Sequence, residues 1–126
     1  MTRAFASRLF LWAGIYGIIV LLPQYFLEEK IGQDFPPAIT HPEHFYGFIG
    51  TALAWQLVFL VISRDVVRYR LLMIPAAVEK MLFVVAVFVL YLQGRVPAIT
   101  AGFAALDLAF AGLFLWAFFS VDKVPE

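Results

Sequence analysis

Four long apolar runs separated by short polar segments organise the chain. They cover about Phe5 to Leu27, Phe45 to Ser63, about Leu71 to Leu92, and Ala98 to Val121. A hydrocarbon core about 30 Å thick needs roughly 20 apolar residues as helix, so each run is long enough to cross once. Strands are excluded, because four of them cannot close a barrel in lipid. The pattern predicts an all-α, integral membrane four-helix antiparallel bundle, one transmembrane domain over residues 1–126, with an outer loop over 28–44.

The boundaries carry their own signals. Thr40-His41-Pro42-Glu43 reads as a capping box with Thr40 at the N-cap, so the second helix begins before its membrane-buried part. Asp65 is placed to cap a third helix whose first turns, Val66 to Ile74, are amphipathic. Pro75 then either kinks that helix or begins its membrane portion, which leaves the start of the third span between Val66 and Pro75. Gly94 stands where a C-terminal cap needs it, and Pro97 follows; this short connection makes the third and fourth helices antiparallel neighbours. Glu28 to Thr40 reads as the one extended connection, stiffened by Pro36-Pro37. The first apolar run ends without a small-x-small cleavage site and is read as an uncleaved span.

Composition supports the membrane reading. The chain is 63% hydrophobic and 14% charged, with a mean hydropathy of +0.90, too few polar residues to cover a water-facing surface. Net charge is zero and no basic run exists, which removes nucleic acid as a partner. The absence of cysteine removes disulfides and thiolate chemistry. With both termini cytoplasmic, Arg3, Arg8, Arg64, Arg68, Arg70 and Lys123 lie inside against Lys30 and Arg95 outside. Tyr25, Tyr46 and Tyr91 then fall near the outer boundary, and Trp12, Tyr69 and Trp116 nearer the inner one.

Candidate chemistry lies in the polar residues inside the spans. Glu79, Lys80 and Asp107 each cost about 2.5–3.5 kcal/mol at a helix centre, so each needs a partner or a purpose. Helical rise brings Gln56, Glu79 and Asp107 to similar depth when the third span starts near Leu71. Successive residues differ by about 100°, so Lys80 points away from Glu79 and is better placed to reach Asp107 on the next helix. Three readings stay open: a hydrogen-bonded clasp that fixes helix register, a pocket for a lipid-like head group or proton-accepting carboxyl, and a partly hydrated cluster without a role. Trp55 beside Gln56 is a candidate stacking residue for such a ligand.

Small residues mark expected packing faces: Gly14 and Gly17 on the first helix, Gly47 and Gly50 with Thr51, Ala52 and Ala54 on the second, and Ala101, Ala105, Ala109 and Gly112 on the fourth. At the outer mouth, His41, Glu43 and His44 put two histidines three residues apart. With no further histidine in the chain they read as interfacial polar residues, and no metal is expected.

Four spans in a short chain, the Tyr46-Gly47-Phe48-Ile49-Gly50 opening of the second span, and the Arg64-Asp65 and Arg68-Tyr69-Arg70 turn before the third resemble the DoxX-like group of small bacterial inner-membrane proteins. That resemblance implies a four-helix bundle in the bacterial inner membrane and transfers no catalytic residue. Three functions are expected from the residues. The first is a small membrane protein that binds an apolar ligand, a quinone or a lipid, or serves as accessory subunit of a membrane complex. The second is a membrane-embedded isomerase or redox enzyme using Asp107 or Glu79 as acid/base; the third is an oligomeric transporter or proton-conducting subunit. No obligatory cofactor is expected, and the partners are the bilayer, an apolar small molecule, and a membrane protein or a second copy of the chain.

Overall fold

The computed structural model describes residues 1–121, so Lys123, counted among the inner-side cations, lies outside the described residues. Five helices make up the fold: α1 (Arg3–Leu21), the short α2 (Glu28–Asp34), α3 (Pro42–Arg64), α4 (Met73–Leu92) and α5 (Ala98–Ser120). There is no strand among the described residues. With their 3₁₀ extensions, four helical stretches are long and apolar enough to cross a membrane: Arg3–Phe26, Pro42–Arg64, Arg70–Leu92 and Ala98–Ser120.

Local chemistry explains where each begins and ends. Thr2 caps α1, its hydroxyl accepting from the Phe5 amide at 3.1 Å. Pro23 cannot donate to the preceding turn, and from Leu22 the helix tightens into a 3₁₀ stretch ending at Phe26. The expected extended connection after it is half helical, because Glu28 and Glu29 complement the α2 dipole and Lys30 pairs with Asp34 at 3.2 Å. The capping box at Thr40 does not form. A residue before proline avoids the helical region, so His41 becomes the N-cap, with no side-chain cap bond, and Pro42 is the first helical residue.

Asp65 does act as a cap, accepting from the Arg68 amide at 3.0 Å. Beyond it the chain makes a turn and a 3₁₀ stretch (Arg70–Leu72), not the amphipathic helix expected over Val66 to Ile74. Pro75 sits in the first turn of α4, where its missing N–H removes no helical bond. At the far end Gly94 adopts φ 71°. Its amide bonds to the Tyr91 carbonyl and that of Arg95 to Leu90, at 3.0 and 2.8 Å, which is the Schellman arrangement.

The helices pack as two close pairs, α1 with α3 and α4 with α5. Contacts between α1 and α3 advance along one helix as they recede along the other: Ser7 donates to the Ser63 carbonyl at 2.6 Å, and Gly17 abuts Gln56. On the second pair, Arg70, just before α4, donates to Phe118 at 2.6 Å, and Lys80 meets Asp107 farther along. At the end that holds the N-terminus, both pairs merge into an apolar core of which Ala6, Phe10, Phe59, Ala76, Phe114 and Ala117 are fully buried. Phe10 stacks on Phe114 with ring centroids 4.3 Å apart, and Phe59 meets Phe114 edge-on at 5.1 Å. Arg3 adds a long 3.5 Å bond to the Val121 carbonyl; with Arg70 it supplies donors to carbonyls at the C-terminal end of α5.

The packing stripes divide. A Cβ at Gly14 would lie 2.7 Å from Leu60 Cδ2 and 3.0 Å from the Gln56 carbonyl, and one at Gly17 would collide with the Gln56 side chain. Gly47, Gly102 and Gly112 meet nothing within 4 Å, and Ala105, Ala109 and Gly112 are exposed. The expected second buried face of α5 therefore faces outward; α5 packs through Ala104, Ala111, Phe114 and Ala117 instead. Gly17→Val is expected to lower stability by about 1–3 kcal/mol through overpacking. Gly47→Ala should be neutral or stabilising. Thermal unfolding of the detergent-solubilised protein checks both, and equal effects would refute Gly17 as the close-approach point.

Candidate functional site

The polar residues of the spans converge on one cavity of about 280 Å³ between the two helix pairs. Each helix contributes a column at helical spacing. From the first span come Tyr16, Gly17, Val20 and Leu21, with Gln24 from its 3₁₀ extension; from α3 come Phe48, Ala52 and Gln56. Glu79, Lys80 and Phe83 of α4, with Phe103 and Asp107 of α5, complete the lining. Tyr16, Gln56, Glu79, Lys80 and Asp107 all lie within about one helical turn of the midpoint of their spans.

The most deeply placed charge is paired. Lys80 Nζ donates to Asp107 Oδ1 at 3.0 Å, with the two side chains 5% and 19% exposed. The ammonium also lies 5.3 Å from the Phe59 ring centroid and 5.5 Å from that of Phe110, so two aromatic rings flank it. These rings lead from Lys80 into the packed core, where Phe10, Phe59 and Phe114 interlock.

Gln56 is 2% exposed. Its amide Nε2 donates to the Ala52 carbonyl at 2.9 Å, one turn back on its own helix. Because a carbonyl can only accept, that bond fixes the carboxamide with Oε1 turned to Gly17, the position that has no Cβ. Gln56 Oε1 and Glu79 Oε2 are buried and have no hydrogen-bond partner among the described residues. Gln24, at the opposite end of the cavity from the packed core, spends an amide N–H on Val20 at 3.0 Å.

A second depression, a groove of about 520 Å³, runs between α3 and α4 and is lined by Thr51, Trp55, Pro75, Val78 and Leu82. It shares Phe48, Ala52, Glu79 and Phe83 with the cavity. Val78 and Leu82 are exposed on the outer surface of the bundle. The cavity thus adjoins the apolar flank of the molecule, with Phe48, Ala52, Glu79 and Phe83 standing between the two.

The candidates anticipated from sequence separate into three groups. Gln56, Glu79, Lys80 and Asp107 share the cavity, while Trp55 belongs to the groove beside it. His41, Glu43 and His44 lie apart at the start of α3. Their donor atoms fall within 4.8 Å of one another, with Glu43 Oε1 3.5 Å from His41 Nδ1 and 3.6 Å from His44 Nε2. All three are exposed, and the start of a helix is the end that disfavours a cation. Sequence reasoning missed Tyr16, Gln24 and Phe48 as cavity residues; the Tyr16, Val20, Gln24 spacing of four was the available signal.

Removing one member of the ion pair leaves the other charge buried alone. Lys80→Met is expected to cost about 3 kcal/mol, and adding Asp107→Leu should restore most of it. A double-mutant cycle in unfolding free energy measures this, and a coupling near zero would show that the pair does not tie α4 to α5.

No family model, no curated protein and no solved structure matches the chain; the cavity has to be read from its own chemistry.

Proposed function

We propose that this protein binds a lipid-like ligand, a molecule with an apolar tail and a polar head group, drawn laterally from the bilayer into the cavity between its two helix pairs. One observation carries the reading: a mid-span cavity lined by charged and amide side chains shares Glu79 and three other residues with a groove on the apolar flank. A cavity of about 280 Å³ is at the small end of ligand sites, suited to a head group and the first atoms of a tail. The rest of the tail lies along the groove, against Trp55, Val78 and Leu82. The packed core of Phe10, Phe59 and Phe114 in the N-terminal half of the bundle favours a dead-end site over a conduit through the chain.

In this reading the bundle is antiparallel, both termini are cytoplasmic, and the protein resides in the inner membrane of a bacterium, as the DoxX-like resemblance implies. The excess of arginine on the N-terminal side and the short turn between α4 and α5 support it. The cavity then opens toward the outer half of the bilayer.

Because the chain lacks cysteine, orientation is testable by single substitutions. A membrane-impermeant maleimide should label Gln93→Cys in intact cells and Val67→Cys only after permeabilisation, and the reverse pattern would overturn the orientation. For the ligand, Ala52 lines both cavity and groove, so Ala52→Phe should obstruct the passage without touching a polar group. Mass spectrometry of gently purified protein should find one apolar small molecule retained by the wild type and depleted at least about tenfold in Ala52→Phe. Identical bulk lipid in both would sink the proposal.

A further inference from the structure

Two buried acceptors without partners bear on the chemistry of the head group. Resting on the ligand-binding reading above, we propose that the ligand is a lipophilic amine, whose ammonium N–H groups bond to Glu79 and Gln56.

Two acceptors of the cavity are unmet. Gln56 Oε1 and Glu79 Oε2 are both buried without a partner, and both residues line the cavity. The nearby donors point elsewhere: Lys80 gives an N–H to Asp107, and the Gln56 and Gln24 amides each give one to a carbonyl of their own helical stretch. The remaining N–H groups of these side chains, and the Tyr16 hydroxyl, reach neither orphan atom. A buried acceptor left unpaired is destabilising, and more so when it is a carboxylate. A head group that donates in several directions removes that cost at both atoms.

Charge points the same way. Two carboxylates, Glu79 and Asp107, face the cavity against the single cation Lys80, and Asp107 already holds that cation at 3.0 Å. Lys80 attracts Glu79 as well but contacts Asp107, so an ionised Glu79 has no contacting counter-ion among the described residues, and it lines both cavity and groove. A ligand ammonium arriving along the groove meets Glu79 first and neutralises it. An anionic head would add repulsion, and an acceptor-only head, such as a quinone carbonyl, would leave both orphan atoms unpaired. The walls suit a cation as well: Phe48 and Phe83 stack with centroids 6.1 Å apart at the junction of cavity and groove, offering aromatic faces beside Glu79.

Three probes with the same twelve-carbon tail separate the possibilities: dodecylamine, dodecanol and dodecanoate, measured by native mass spectrometry on the protein released from detergent micelles. Dodecylamine should bind at least about tenfold more tightly than either of the others, the margin of one charge-assisted hydrogen bond. Glu79→Gln, nearly isosteric, should erase that margin. Gln56→Leu, which removes the second acceptor at similar volume, should narrow the margin without erasing it. Equal or tighter binding of dodecanol or dodecanoate, or a preference that survives Glu79→Gln, overturns the amine assignment and leaves the ligand-binding reading standing. Failure of all three probes to bind the wild type overturns both.

Discussion

A charge in the middle of an apolar span has to be matched inside the protein, because lipid cannot solvate it. The contact between Lys80 and Asp107 is the place where this chain meets that demand. It joins α4 to α5 at mid-span and fixes how far one slides past the other. The complementary constraint on the other pair is steric: Gly17 lets the Gln56 carboxamide lie against the α1 backbone. Each helix pair is thus held by one specific feature near the same depth. Between the pairs, close aromatic packing fills only the half toward the N-terminus, and the other half keeps a cavity.

Much of this was legible along the chain. Four spans follow from run length alone, and the Lys80 to Asp107 contact follows from the 100° step that turns Lys80 away from Glu79. Gly94 announced its cap because only a residue without Cβ takes φ 71° without strain. Other features depended on competition that a pattern does not rank. Thr40 carried the capping-box pattern, and the backbone restriction before Pro42 made His41 the cap instead. The small stripe on α5 matched a packing face, yet nothing in its residues says which neighbour covers it; Ala105, Ala109 and Gly112 are exposed. Tyr16 and Gln24 looked like ordinary span residues, because a cavity is formed by what neighbouring helices leave unfilled, and that is a property of packing rather than of any one helix.

The two ends of the bundle differ in what they can do. Phe10, Phe59 and Phe114 interlock with no exposed surface, so a polar solute has no route through them. Toward Gln24 and Phe103 the helices leave the cavity between them, and the groove between α3 and α4 is lined by Pro75, Val78 and Leu82, a surface suited to lipid rather than to water. A ligand using that path has to be at home in the bilayer, which is why an apolar tail is part of the assignment.

Glu79 and Lys80 are adjacent in sequence but serve opposite sides of this arrangement. Lys80 turns inward, gains Asp107 and two aromatic faces, and is spent on structure. Glu79, one step around the helix, faces the junction of cavity and groove with a buried oxygen that no described group satisfies. Had the pair evolved only to close the bundle, one acid and one base would suffice, and the second carboxylate would add cost without adding a contact. Its presence at the threshold between cavity and groove makes sense when the missing donor comes from outside the chain.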